Sequence, residues 1–305
     1  VPASLRLRIL SRLLALGPKR QFARLSDPAQ ATRDFERSAR LAFRVPPFTH
    51  RLRRKTQGGV PLNWVHVGRV PMDRVILYLH GGAFICGSAR THLSLLSHLS
   101  RHCGLEVCAP DYRQLPQAGF PAPLEDALAA WDHLRALGYG AHQIMLAGDS
   151  AGGGLAFSLL SQVLARGERP AGLFAFSPWT DLTYSGQSIT QNAKTDCLIP
   201  TGRMGELAKL YLGDTPADDA RASPLFAEFC APPPVLMQVG GGEVLADDTY
   251  RMAAKLTRAG GEVTVQTFEA APHVWQMFYG VVPEAREALC AVATFVQTSL
   301  DSAKR

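Results

Sequence analysis

The chain has 305 residues, 47% of them apolar, a mean hydropathy near zero and a formal net charge of +6. That length buries a full core in one large α/β domain, and no run approaches the ~18 consecutive apolar residues of a membrane-spanning helix. Six cysteines with no C-x-x-C pair are too sparse for a disulfide scaffold and point to a cytoplasmic protein, with Cys86, Cys103, Cys108 and Cys290 as buried thiols. Charge is uneven: residues 1–55 hold fourteen Lys or Arg against three acids, so they carry +11 and the remainder −5. No motif supports a nucleic-acid face. A basic amphipathic segment of a lid, or a surface touching anionic lipid, fits better.

Within residues 4–16, Leu5, Ile9, Leu13 and Leu16 recur near one helical stripe with Arg6, Arg8 and Arg12 interspersed. A second helix is expected over Asp27–Ala42, with Asp27-Pro28 as cap and first turn, before Pro46-Pro47 closes the region. Strands are expected at 60–67, 75–79 and 105–109, and helices at 91–102 and 123–137. The alternation continues with strand 144–147, helix 152–166, strand 172–176, strand 235–239, helix 247–259, strand 263–268 and helix 284–299. Continuous apolar strands separated by helices predict a mostly parallel sheet covered on both faces. The rhythm breaks at 180–232, where one helix is expected at 201–212. This insertion is expected to pack with the N-terminal segment as a lid over the C-terminal ends of the strands.

Gly148-Asp149-Ser150-Ala151-Gly152 lies between an apolar strand and a helix of small residues. In that setting G-x-S-x-G is a nucleophile elbow, with Ser150 at the crest of the turn. His273, in the loop after the last strand, is placed to serve as its base. His92, His98 and His102 share one helix without an acidic partner, and are read as surface residues rather than metal ligands. Three acids compete to orient the base, Glu243, Asp247 and Asp248, all in or just after the loop that follows strand 235–239. Asp247 and Asp248 also suit the first turn of the next helix. His80-Gly81-Gly82-Ala83 follows strand 75–79, and its side-chain-poor backbone suits an oxyanion hole with the Ala151 N–H as a further donor. None of this chemistry requires a metal or an organic cofactor.

These motifs resemble the bacterial hormone-sensitive lipase family of esterases. Gly148-Asp149-Ser150-Ala151-Gly152-Gly153 matches that family's elbow signature in full, while His80-Gly81-Gly82-Ala83 matches H-G-G-G except at Ala83. Asp111-Tyr112-Arg113, Pro116 and Phe120-Pro121-Ala122 are similar to the D-Y-R-L-A-P-E…F-P-A stretch, with Gln114-Leu115 and Gln117 as departures. Glu243-Val244-Leu245-Ala246-Asp247 aligns with D-P-L-x-D, whose first acid belongs to the triad, which favours Glu243 over Asp247.

The resemblance implies an α/β-hydrolase fold with an eight-stranded, mostly parallel sheet. It implies a helical cap from 1–45 and 180–215, with the core in 46–179 and 216–305. It implies hydrolysis of short- to medium-chain acyl esters by Ser150, Glu243 and His273. Gly81, Gly82 and Ala151 would be the oxyanion donors, supported by His80 and Asp149. An amidase or peptidase, or a non-catalytic receptor of the same fold, is the alternative. Phe22, Phe35, Leu41, Phe43, Tyr184 and Leu210 are candidates for an acyl pocket or for the core of the cap. The expected partner is a small ester, with no nucleic acid and no stable membrane insertion. The last strand, 263–268, offers an edge for a homodimer.

Overall fold

The computed structural model describes residues 3–24 and 28–303. Three helices come first: α1 (Leu5–Leu16), α2 (Pro18–Arg24) and α3 (Pro28–Ala42). The expected Asp27 cap lies outside the described residues. Eight strands follow with their intervening helices. β1 (Thr49–Lys55), β2 (Pro61–Val67) and β3 (Val75–Leu79) precede α4 (Leu93–Cys103), β4 (Glu106–Pro110) and α5 (Ala122–Ala136). Next come β5 (Ile144–Asp149), α6 (Ser150–Ala165), β6 (Gly172–Phe176), α7 (Ser188–Gln191) and α8 (Thr201–Leu212). β7 (Val235–Gly240), α9 (Ala246–Arg258), β8 (Val263–Phe268) and α10 (Pro283–Ser302) complete the chain. This is the α/β-hydrolase fold.

The strands form one sheet in the order β1-β2-β4-β3-β5-β6-β7-β8. β1 and β2 run antiparallel at one edge, and the six from β4 to β8 are parallel. The pleat divides the apolar runs between two cores. Leu77, Leu146, Leu173 and Met237 face a layer with Trp131 of α5, Leu155 and Leu159 of α6 and Leu256 of α9. Ile76, Met145, Phe174 and Leu236 face the opposite layer, with Leu95 and Leu99 of α4 and Val292 and Val296 of α10. β3 through β7 are buried on both faces, which is why their sequences are apolar without alternation.

Parallel strands bring all their C-terminal ends to one edge of the sheet. The loop from His80, the elbow after β5, the loop after β7 and the loop after β8 therefore converge there. The two segments expected to form a lid meet this region and each other. Lys19 Nζ donates to the carbonyls of Ala193 and Asp196, and Asp196 Oδ2 accepts the Val244 N–H of the loop after β7 at 3.0 Å. Among the described residues, no helix is long and apolar enough to cross a membrane.

The thiol expectation holds in part. Cys103 and Cys108 are buried, Cys86 is half-buried, and Cys290 is exposed because it lies on the outer side of α10, with Sγ 3.9 Å from His102 Nδ1.

Candidate active site

Ser150 is the first residue of α6 and takes φ +53°, a left-handed backbone that a non-glycine residue adopts only under constraint. The constraint is close backbone packing. A Cβ on Gly148 would run into the Gly152 carbonyl, and one on Gly152 into the Leu79 and His80 carbonyls. The Ser150 carbonyl accepts the Trp179 N–H at 2.9 Å, which ties the crest of the turn to the end of β6.

The Ser150 hydroxyl donates to His273 Nε2 at 2.9 Å, and His273 Nδ1–H donates to Glu243 Oε2 at 2.6 Å. Glu243 Oε1 accepts the Ser177 hydroxyl at 2.7 Å and the Gly240 N–H at 2.6 Å. Three hydrogen bonds therefore hold this buried carboxylate, two on Oε1 and the one from the histidine on Oε2. Burial alone would lower the proton affinity of His273. The charge of Glu243 and its hydrogen bond outweigh that and raise the pKa above 6.5.

The competing acids are placed elsewhere. Asp247 Oδ2 accepts the Ser188 N–H at 2.9 Å. Asp248 Oδ2 accepts the N–H groups of Thr180 at 2.7 Å and Asp181 at 2.9 Å. Burial pushes the Asp248 carboxyl up to about 7, against the pull of those two bonds. Both residues fasten the 180–188 segment to the start of α9.

Asp149 sits beneath the elbow. Its Oδ1 accepts the Tyr78 hydroxyl at 2.8 Å and the Gly81 N–H at 3.0 Å, and His92 Nε2 lies 3.4 Å from the carboxylate. Burial would raise its pKa. The adjacent His92 and the hydrogen bonds from His92 and Tyr78 overcome this and hold it below the ordinary value. Two expectations are corrected by this arrangement. Gly81 cannot offer its N–H to an oxyanion while Asp149 holds it. His92 and His98 are not on the surface: both are buried, because α4 is covered by the sheet and by α10. Burial lowers His98 to about 4, against the ring of Tyr279. His80 is also buried, stacks on Tyr112 at 4.3 Å and donates from Nδ1 to the Gly81 carbonyl. Burial and the neighbouring His92 lower it to about 4, so it is neutral at pH 7.

A model of the alpha/beta hydrolase fold family matches residues 76–277. An acetyl-hydrolase of Streptomyces hygroscopicus is 37% identical over 80% of this chain and 82% of its own length. An esterase of Acinetobacter venetianus is 34% identical over 75% of this chain and 76% of its own. A crystal structure of an esterase from the bacterial hormone-sensitive lipase family superposes with a TM-score of 0.92 at 34% identity, covering 98% of this chain and 100% of that one.

The chain belongs to the bacterial hormone-sensitive lipase family of esterases.

Around the reactive groups, this esterase uses residues that carry no motif. Ser177, at φ +45° just past β6, holds Glu243 and also accepts the Val274 N–H at 3.4 Å. Asn192 Nδ2 donates to the Glu243 carbonyl at 2.8 Å, and Asp196 Oδ2 accepts the Val244 N–H at 3.0 Å. The only available signal was position: Ser177 follows a core parallel strand, where functional side chains collect. Of the acyl-pocket candidates, Leu41 (83% exposed) and Leu210 (53%) face solvent. Phe35 packs on His92, Phe43 on Phe278, and Tyr184 stacks on Trp179. Next to the elbow, Phe84 stacks on Tyr211 at 3.9 Å and lies 6.2 Å from Trp179, all three rings being buried. Among the described residues, no cluster of three or more His, Cys, Asp or Glu is placed to hold a metal ion.

Proposed function

We propose that the chain is a serine carboxylesterase in which Ser150 is the nucleophile, His273 the general base and acid, and Glu243 the residue that orients it. The unbroken path from Ser150 Oγ through His273 to Glu243 carries this reading. Neutral His273 takes the Ser150 proton on Nε2 as Oγ bonds to the ester carbonyl carbon. Glu243 stabilises the imidazolium that forms. The same proton then passes to the departing alkoxide, leaving an acyl-enzyme and an alcohol. Water repeats the sequence, its proton going to His273 and its oxygen to the acyl carbon, and Ser150 is restored.

The tetrahedral oxyanion is assigned to the N–H groups of Gly82, Ala83 and Ala151. Gly81 acts one step back, since its N–H fastens the loop to Asp149. Gly82, Ala83 and Phe84 run through three positive φ values, +126°, +56° and +59°, a turn that departs from the strand direction beside the elbow. Each donor is worth about 3 kcal/mol in the transition state.

Residues 1–45 and 180–215 act as the cap. Phe84, Trp179 and Tyr211 fill space beside the nucleophile with buried rings, which favours short to medium acyl chains over long ones. Hydrolysis of p-nitrophenyl acetate, butyrate, octanoate and palmitate tests the reading. Turnover of butyrate or acetate well above palmitate, abolished in Ser150→Ala, is the expected result. A folded protein inactive on all four rejects an esterase, and a preference for palmitate rejects the chain-length assignment.

A further inference from the structure

Helix α1 buries only one of its faces. At roughly 100° per residue, Leu7, Leu10 and Leu14 share one side. Leu7 joins Ala271, Trp275, Val282 and Ala285 in a small core, with Leu10 packed against it. The helix is held there at its start, where Ser4 donates from N and Oγ to the Glu284 carboxylate at 2.7 and 3.0 Å. On the other side, Leu5, Ile9, Leu13 and Leu16 fall within an arc of about 80°. They are 73%, 48%, 60% and 62% exposed. Arg6 borders this stripe on one flank, Arg8 and Arg12 on the other, and all three are exposed. A long apolar stripe costs solubility when it faces water, so its persistence beside arginines calls for an occupant that is apolar within and anionic at its surface.

We infer that the outward face of α1 docks the enzyme onto an anionic lipid surface. The leucines enter the boundary between headgroups and acyl chains while the arginines reach the headgroup charges. A second copy of the chain suits the face less well. Two such stripes meeting would set arginine flanks against each other, in a region already carrying +11 over residues 1–55. The position also has a consequence for catalysis. Ser11 Oγ, which donates to the Leu7 carbonyl at 3.0 Å, lies 3.4 Å from the Ala270 carbonyl, three residues before His273. Lys19 of α2 holds the segment that clamps the Glu243 loop. A docked α1 thus lies beside the loops that carry the reaction.

The test is flotation of the full chain with phosphatidylcholine vesicles, with and without roughly 30% phosphatidylglycerol. The protein is expected to float with the anionic vesicles and to be released at about 0.5 M NaCl. Arg6→Gln with Arg8→Gln and Arg12→Gln is expected to weaken partitioning about a hundredfold, roughly fivefold for each charge. Leu5→Ser with Ile9→Ser and Leu13→Ser should lower it at least about tenfold. Both variants should keep the wild-type melting temperature and p-nitrophenyl butyrate turnover, because no altered side chain is buried. The single variant Leu13→Ser, with a smaller loss, serves if the triple one fails to fold. Absence of the wild-type chain from anionic vesicles overturns the inference, as does flotation that ignores both substitutions. A dimer in sedimentation velocity that Leu13→Ser converts to monomer, without vesicle binding, overturns it in favour of a second copy.

Discussion

Two buried carboxylate–histidine pairs flank Ser150, and they differ in what the histidine's second nitrogen meets. Glu243 and His273 are 2.6 Å apart, and the free Nε2 of His273 faces the Ser150 hydroxyl at 2.9 Å. Asp149 and His92 are 3.4 Å apart, and the other nitrogen of His92 is 2.9 Å from the Thr91 hydroxyl, with the Ser88 carbonyl at 3.2 Å. The first pair ends on a group that can react. The second ends on the fold itself, and its carboxylate spends its remaining capacity on Tyr78 and Gly81. A buried acid–histidine contact is therefore not by itself a catalytic signature. The terminal partner decides whether the pair moves a proton or fixes a loop.

Removing the charge from the first pair should have the larger effect on rate. In Glu243→Gln the amide oxygen stays with the Ser177 and Gly240 donors, so the NH₂ faces Nδ1, which favours the wrong tautomer of His273 and leaves its imidazolium without a counter-charge. The expected loss in kcat is about a thousandfold or more, with KM little changed. Asp247→Asn, which alters the acceptor of the Ser188 N–H and not a partner of His273, should stay within about threefold of wild type. If Asp247→Asn abolished turnover and Glu243→Gln did not, the acid role would belong to Asp247.

In the second pair the larger effect should fall on stability. Asp149→Ala strands the Tyr78 hydroxyl and the Gly81 N–H in a buried site, at a cost of about 3–5 kcal/mol by urea unfolding. Some activity is also lost, because the Gly81–Ala83 turn loses its anchor. Asp149→Asn keeps an acceptor and should cost less. An Asp149→Asn variant with unchanged stability and activity would show that the carboxylate does not order the elbow. The folded-state pKa of Asp149 is depressed, so its stabilising contribution is complete above the unfolded value of 3.8 and disappears as pH falls through the folded one.

The pH profile separates the pairs by direction. His273 must be neutral to accept the Ser150 proton, and its proton affinity is raised, so the acid limb of kcat/KM is expected above pH 6.5. Glu243→Gln should move that limb toward lower pH, whereas Asp149→Asn should leave it nearly in place. The stability linkage runs the opposite way from catalysis. Protonated His273 beside Glu243 stabilises the fold fully below 6.5, and this is lost as pH rises through the raised value.

Much of the first pair was legible in the sequence and little of the second. Ser150 and Glu243 each follow a strand whose apolar run marks it as buried, and His273 follows the half-exposed last strand, so chain order alone brings the three to one edge of the sheet. His92 reads as a surface residue because its own helix offers no acidic partner; the partner, Asp149, comes from the elbow 57 residues away. Eight of the eleven residues of α4 are buried, Ser94, Ser97, His98 and Ser100 among them, so polarity misreports its faces. Ser177 belongs to no motif and becomes visible only when β6 and β7 are adjacent. Strand β1 escaped notice because Arg51, Arg53, Arg54 and Lys55 all face solvent on an edge, leaving no apolar alternation to read. The Gly81 N–H was misassigned because a glycine run does not reveal which of its donors a neighbouring carboxylate has taken.

Ala83 gives the finest test of the contrast, since it joins the loop anchored by Asp149 to the site served by His273. Its φ of +56° is a conformation that costs an L-residue roughly 1 kcal/mol, and the family motif has glycine there. Ala83→Gly removes this strain but also frees the unfolded chain, a penalty of about 0.4–1 kcal/mol. The two nearly cancel, so the melting temperature should move by no more than about 2 °C. If the Asp149–Gly81 bond alone orients the donors, kcat should fall by less than about threefold. A tenfold loss at unchanged stability would mean that the Ala83 methyl group, and not only the carboxylate below it, keeps the turn in its reactive shape.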